Sequence, residues 1–398
     1  MLTLLILVSL IGFLVSKYRK LGAFNPFTLF FGVWSAIFIA YSFFQDIYYP
    51  VSSEYLLIQI CVQLCALFVM LFARAPAYLP GAASRSVYEV NKLTFFIVQL
   101  ILLAGVPMIY LKATELAGGS VFTSVGYTRL RYAFNMEGAS VGILRYFTPL
   151  SFVASAVAVY FATKKQISKF SALLTVFSGL CYAFLATGRT FFLLIFILIV
   201  VPLAVSGKIK AKTLAVLGAL LVCVFFLIAW LTSKGTSVNA SFSENVAGFV
   251  DSMQSYLVAP FVALSMLFDK LTTMHYGDYS LRFVLSLLSS QGLTDPPAPI
   301  VKGYQFTPIP TNLYTVYEVY FRDFGVFGFF IPIVFLPVHW MFYKQAKRNN
   351  DFFIIVYAIS VYPLLTQILQ DQYMTLISTW IQMVLACIVL IKKRDIRP

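Results

Sequence analysis

Residues 170–206 read FSALLTVFSGLCYAFLATGRTFFLLIFILIVVPLAVS. Two apolar runs, 170–186 and 190–206, flank a short turn that holds Gly188 and Arg189. A run of about 18 residues with few charges is long enough to cross the hydrocarbon core of a bilayer. Barrel strands would instead be short segments of alternating polarity. The stretch therefore predicts two membrane helices back to back. The same pattern recurs at 2–16, 27–44, 55–73, 94–111, 145–162, 213–231, 315–342, 352–368 and 374–391. The expectation is an all-α polytopic membrane protein with about eleven transmembrane helices, built as a single integral membrane domain over 1–398.

Composition agrees. Of the 398 residues 60% are hydrophobic and only 11% charged, where a soluble domain carries about 25% charged residues. The first run, LTLLILVSLIGFLV, has no basic flank before it and no small-residue cleavage site after it, so it reads as a span rather than a signal peptide. Cys61, Cys65, Cys181, Cys223 and Cys387 all fall inside apolar runs and form no CxxC pair. They read as small buried hydrophobes. The net charge of +14 is split into short clusters between the runs, which is how topology signals look and excludes a nucleic-acid partner.

Most of the Lys and Arg lie in alternate connecting segments: YRK at 18–20, Arg74 with Arg85 and Lys92, TKK at 163–165, KIK at 208–210, KQAKR at 344–348 and the tail KKRDIR. By the positive-inside rule these are cytoplasmic, with the amino terminus outside and the carboxyl terminus inside. Two long segments, 112–144 and 232–314, then face outward, and the chemistry is expected there. SENVAGFVDSMQSYLVAP has the spacing of an amphipathic helix. FVALSMLFDKL and YSLRFVLSLLSS read as two further short helices, and TDPPAPIVKGYQFTPIP as an extended run. Together they are expected to cap an external cleft.

The outward segments carry arginines: Arg129, Arg131, Arg145, Arg189, Arg282 and Arg322. A topology signal needs only positive charge, whereas a planar guanidinium fork suits phosphate oxygens. Snorkelling to headgroups or pairing with a nearby acid is the plainer alternative for each. Residues 310–330, PTNLYTVYEVYFRDFGVFGFF, open a span with three charges. Glu318 and Arg322 are spaced to pair on one helical face. Asp323 has no such partner and is expected to face a cavity or another basic group. Tyr314, Tyr317 and Tyr320 suit either an aromatic interface belt or stacking on sugar rings. Candidate bases on the outer side are Asp323, His275, Asp278, Glu318, Glu137 and Glu244. The two histidines, with no HExxH and no external DxD, point to no metal and no cofactor.

TN-LYT followed by DFGVFG, the ATGRT turn, HYGDYSLRF and the second-span opening FNPFTLFFGVW, in that relation, resemble the bacterial oligosaccharide repeat unit polymerases, the O-antigen and capsule polymerase (Wzy) group. The likeness is strongest over 170–345. The resemblance implies a GT-C-like, metal-independent glycosyltransferase of the bacterial inner membrane with its active site facing the periplasm. It would transfer a growing glycan from undecaprenyl pyrophosphate to the non-reducing end of an incoming lipid-linked unit. Donor, acceptor, the bilayer and a Wzz-type chain-length regulator would be its partners. Carried onto this chain, the motifs cover Gly188, Arg189, Thr190, Asn312, Asp323, Phe324 and Gly325. The expected site has Asp323 and His275 as catalytic groups and Arg129, Arg131, Arg189, Arg282 and Arg322 on the pyrophosphate. Thr190, Asn312, Tyr314, Tyr317 and Glu318 would contact substrate. An O-antigen ligase and a lipid-linked oligosaccharide flippase remain as alternatives; the flippase predicts internal repeats, and none is visible.

Overall fold

The structure, a computed structural model, describes residues 1–74, 88–231, 240–271, 273–298 and 302–394. Arg85, Arg397 and residues 232–239 and 299–301 of the large loop lie outside the described residues. In chain order the helices are α1 (Leu2–Tyr18), α2 (Pro26–Phe44), α3 (Ser53–Leu71), α4 (Lys92–Ala117), α5 (Ser124–Asn135), α6 (Phe147–Thr163), α7 (Lys169–Leu185), α8 (Arg189–Val205), α9 (Ala211–Leu231), α10 (Phe242–Phe268), α11 (Arg282–Ser290), α12 (Glu318–Phe324), α13 (Ile331–Lys347), α14 (Asp351–Leu365) and α15 (Ile377–Leu390). Two short antiparallel pairs complete it: β1 (Tyr88–Val90) with β4 (Ile391–Lys393), and β2 (Gln305–Phe306) with β3 (Pro310–Thr311).

Seven stretches are long and apolar enough to cross a membrane: α2, α3, α4, Gly142–Thr163, Lys212–Trp230, α10 and Glu318–Lys347. The apolar helices α1, α7, α8, α14 and α15 are shorter. Every expected span coincides with a helix, and the protein is a helical, membrane-type chain with little sheet. Local sequence sets the helix starts. Asn25 accepts from the backbone N–H of Phe27 and Thr28, with Pro26 at the first helical position. Ser168 accepts from Ser171 at the start of α7, and Thr123 from Gly126 at the start of α5.

Two expectations need correction and a third gains detail. The first concerns the amphipathic segment and FVALSMLFDKL, which form one 27-residue helix, α10, running through Pro260. Residues 258–265 are buried on every side, and that packing outweighs the amide hydrogen bond proline cannot make. Secondly, and as an addition rather than a correction, the 112–144 segment holds the end of α4, all of α5 and the start of a 3-10 turn at Gly142–Tyr146. Thirdly, the last two expected spans are cut short. α14 ends at Leu365 and α15 begins at Ile377, so residues 366–376 are not helical.

The chain folds as two compact units. The first comprises Met1–Tyr78, Ser252–Lys344 and Ser360–Ser378. Its core centres on Trp34, fully buried, stacked on Tyr317 at 5.1 Å and donating from Nε1 to Gln367 Oε1 at 2.7 Å. The non-helical residues Thr366, Gln367, Asp371 and Gln372 are buried too. Val316 N–H donates to the Gln367 carbonyl at 2.6 Å, and Thr315 bridges Gln370 in parallel. Broken backbone at membrane depth is tolerated where it is buried in protein or lines a cavity. Here it does both. At one end of this unit Arg19 donates to the Met70 carbonyl and Tyr343 to the Leu21 carbonyl.

The second unit comprises Leu79–Asp251, Gln345–Ile359 and Thr379–Pro398. α6 is its central helix, buried along most of its length between α7 and α8. Its basic connections gather at one end. Lys164 pairs with Asp351 at 2.5 Å, Tyr160 donates to the same carboxylate, Lys347 donates to the Val205 carbonyl, and Val90 N–H donates to Gln166 Oε1. The β1–β4 pair lies at that end as well.

Candidate functional site

The first unit holds a cluster of cations around one ring. Tyr279 carries Lys302 Nζ at 4.1 Å from its centroid and the Arg322 guanidinium at 5.3 Å. Such contacts are electrostatic, cation against the negative ring face. Arg322 also stands 6.0 Å from the Tyr314 ring and donates from Nε to Glu318 Oε1. Lys302 Nζ is 3.9 Å from the same Glu318 oxygen. Beside them lies a hollow of about 20 Å³ lined by Tyr279, Arg282, Lys302, Asn312, Glu318 and Asp371, among others. Burial holds the Lys302 ammonium below its ordinary value, with Glu318 acting the other way and Arg322 and Arg282 adding to the depression. Burial also lowers Arg282 and raises the Tyr314 hydroxyl.

Asp323 is fully buried; it acts electrostatically on Lys302, but its hydrogen bonds come from backbone. Its carboxylate oxygens accept from the backbone N–H of Tyr279 at 3.2 Å and Ser280 at 2.7 Å. Backbone bonds from His275 N–H to the Arg322 carbonyl and from Tyr276 N–H to the Asp323 carbonyl tie the same two segments together. Asp323 thus pins the 275–280 turn against α12, and this pinning presents Tyr279 to Lys302 and Arg322. The His275 ring packs edge-on against Tyr279 at 5.2 Å and does not line the hollow.

The glycines of FGVFG serve the same arrangement. Gly325 takes φ +56° and lets Met274 approach. A Cβ on Gly328 would lie 2.1 Å from the Tyr320 carbonyl oxygen, so α12 and the following 3-10 turn, Gly325–Phe330, can close only on a residue without one. The three tyrosines do not form a belt. All are buried: Tyr317 packs in the core with Trp34 and Phe329, Tyr320 donates to Asp371 Oδ1 at 2.9 Å, and only Tyr314 lines the hollow.

Lys302, Gln370, Asp371 and Thr375 join the site without having been singled out in the sequence. Asp371 accepts from the hydroxyls of Tyr320 and Thr375 and from the backbone N–H of Tyr373, Met374 and Thr375. The signal was QILQDQYMT, a polar knot between two apolar runs, absorbed into the span boundaries on either side.

The second unit carries the other arginines. Arg189 is the first residue of α8 and only 8% exposed, with Thr190 half-buried beside it. Tyr127, fully buried in α5, donates to the Phe184 carbonyl at 3.1 Å. Burial pushes its hydroxyl up to about 12, while the charges of Arg131 and Arg189 pull it down. Arg129 is not part of this group: two residues from Arg131 on a helix, it turns away and pairs with Glu137 at 2.8 Å, both about half exposed. Arg145 lies over its neighbour Tyr146. Among the described residues no group of three His, Cys, Asp or Glu is placed to hold a metal ion.

Comparison with protein-family models finds no match, and comparisons with curated proteins and with solved structures find none either.

Proposed function

We propose that the chain is a polymerase of polyprenyl-pyrophosphate-linked oligosaccharide units, acting without a metal at the non-cytoplasmic membrane face. One observation carries this reading. A chain with only 11% charged residues sets Lys302 and Arg322 over a single tyrosine, with Arg282 lining the same hollow, next to buried non-helical backbone. Grouped cations in a low-dielectric site are costly unless anions meet them, and here one carboxylate, Glu318, faces both Arg322 and Lys302. A diphosphate leaving group has the charge and the depth for it, and cationic donors stabilise it as the sugar departs. Tyr279 and Tyr314 supply rings, and Asn312 and Gln370 polar edges, for the sugar next to the phosphates. The resemblance of ATGRT, TN-LYT and DFGVFG to the repeat unit polymerases points the same way. In this reading Asp323 is a positioning residue that holds the 275–280 turn, and Arg131 with Arg189 forms a second anion-binding group in the other unit.

The test is a strain lacking the chain, examined for surface glycan. Acceptor lipid capped with a single repeat unit is the expected result. Uncapped acceptor with polymer retained on its carrier would indicate a ligase, and loss of both products a flippase. Arg189→Lys, which keeps the charge and loses the fork, should reproduce the one-unit phenotype. Normal long chains in that variant would remove Arg189 from the site.

A further inference from the structure

Glu318 occupies the place an anion would take. Its Oε1 accepts from Arg322 Nε and faces Lys302 Nζ, and the residue is buried. The hollow alongside measures about 20 Å³, room for about one water molecule. A diphosphate does not enter while this carboxylate holds both cations.

The two neighbouring acids are tied down differently. Asp323 is bound by two backbone N–H groups, and Asp371 by three together with two hydroxyls. Those bonds shape turns, and an incoming ligand offers nothing that replaces them. Glu318 is bound by cationic side chains, which a second anion can draw away. Arg322 and Lys302 are each partly open to solvent, at 18% and 16% of the side chain, so both can be reached.

We infer that Glu318 is an internal stand-in for the substrate's diphosphate and becomes the base of the transfer once displaced. The arriving diphosphate takes Arg322 and Lys302, and the released carboxylate turns to the acceptor hydroxyl. The acceptor oxygen then bonds to the anomeric carbon and its proton passes to Glu318. The bond from that carbon to the diphosphate oxygen breaks, and the electron pair leaves with the polyprenyl diphosphate. Before substrate arrives both cations engage Oε1 of the carboxylate. The device thus couples the availability of the base to occupancy of the phosphate site. It rests on the reading of the cation cluster as that site.

The experiment titrates inorganic pyrophosphate into the purified full-length chain in lipid nanodiscs and assays polymer formation in parallel. Removing the competing charge should tighten pyrophosphate binding, by about tenfold for Glu318→Gln, since Arg322 loses a charge-assisted hydrogen bond and Lys302 an ion pair to the carboxylate. Glu318→Asp, a shorter arm with a weaker hold, should fall between it and the unchanged chain. Glu318→Gln should make no polymer. Should the glutamine variant fail to fold, the aspartate variant against the unchanged chain decides alone. Binding that weakens in either variant, or polymer at the normal rate in Glu318→Gln, overturns the inference. If that happens while Lys302→Ala still weakens pyrophosphate binding, the phosphate site stands and only the displacement is lost. If Lys302→Ala and Arg322→Ala both leave pyrophosphate binding unchanged, the site reading falls, and the inference with it.

Discussion

Lys302 gives the site a pH signature. Burial, with Arg322 and Arg282 nearby, holds its ammonium below the ordinary lysine value of 10.5. An anion prefers the protonated form. Pyrophosphate affinity should therefore be full below the depressed pKa and fall as pH rises through it, before 10.5 is reached. Binding above that point should take up a proton. In Lys302→Arg the decline should vanish, because guanidinium stays charged throughout. Calorimetry in buffers of different ionisation enthalpy measures both effects, and an unchanged affinity up to pH 10.5 would remove Lys302 from the contact. Asp323 makes a different prediction. Its removal in Asp323→Ala leaves the Tyr279 and Ser280 amides without their acceptor, at a cost of about 1–3 kcal/mol for each buried group left unsatisfied. Thermal unfolding in detergent should show the loss, and Asp323→Asn, which keeps one acceptor oxygen, should lose less. The Glu318–Arg322 pair was legible from i, i+4 spacing alone. The partners of Asp323 were not, because they are backbone amides of a turn forty-odd residues upstream, and no periodicity encodes a turn's docking.

The helices were legible at the level of elements, and seven stretches are long and apolar enough to cross a membrane. Interruptions within a span were not. Residues 366–376 carry Thr366, Gln367, Asp371 and Gln372 to full burial, and hydropathy averages such a knot into its neighbours. The break between α12 and α13 was signalled only by Gly325 and Gly328, whose missing side chains suggest room for another element to approach. Gly328 meets its own preceding helix instead. A Cβ there would sit 2.1 Å from the Tyr320 carbonyl oxygen and 2.6 Å from the Phe321 nitrogen, both backbone atoms that cannot rotate aside. Gly328→Ala should push α12 away from the 3-10 turn and with it Glu318 and Arg322. The expected outcome is a lowered melting temperature together with lost polymer. Gly218→Ala, at a helical glycine with nothing within 4 Å, is the control and should be neutral or slightly stabilising. Equal melting temperatures for the two variants would show that the turn is free to adjust.

For the whole molecule, topology turns on α10. It is long and apolar enough to cross a membrane, yet the charge pattern argues against a crossing. KIK at 208–210 precedes α9 and KQAKR at 344–348 ends α13, and both are basic in the manner of cytoplasmic segments. If α9 and the α12–α13 segment each cross once, the residues on either side of α10 share one face. The packing in each unit agrees. Phe242 and Phe249 sit on Phe226, near the end of α9. In the first unit Phe261 packs on Phe38, Tyr41 and Tyr55, in the last turns of α2 and the first of α3, and Ser265 accepts from the Ser52 N–H. A cysteine at Ser241 and another at Lys270, placed singly in a chain whose five native cysteines are replaced, should both react with a membrane-impermeant maleimide added outside intact cells. A cysteine at Lys165 should react only after permeabilisation. Labelling of Ser241→Cys and Lys270→Cys from opposite sides would make α10 a span. The 275–298 turn and helix, and the cation cluster they help to build, would then lie on the face from which polyprenyl-linked glycan is absent, and the polymerase reading would fail with them.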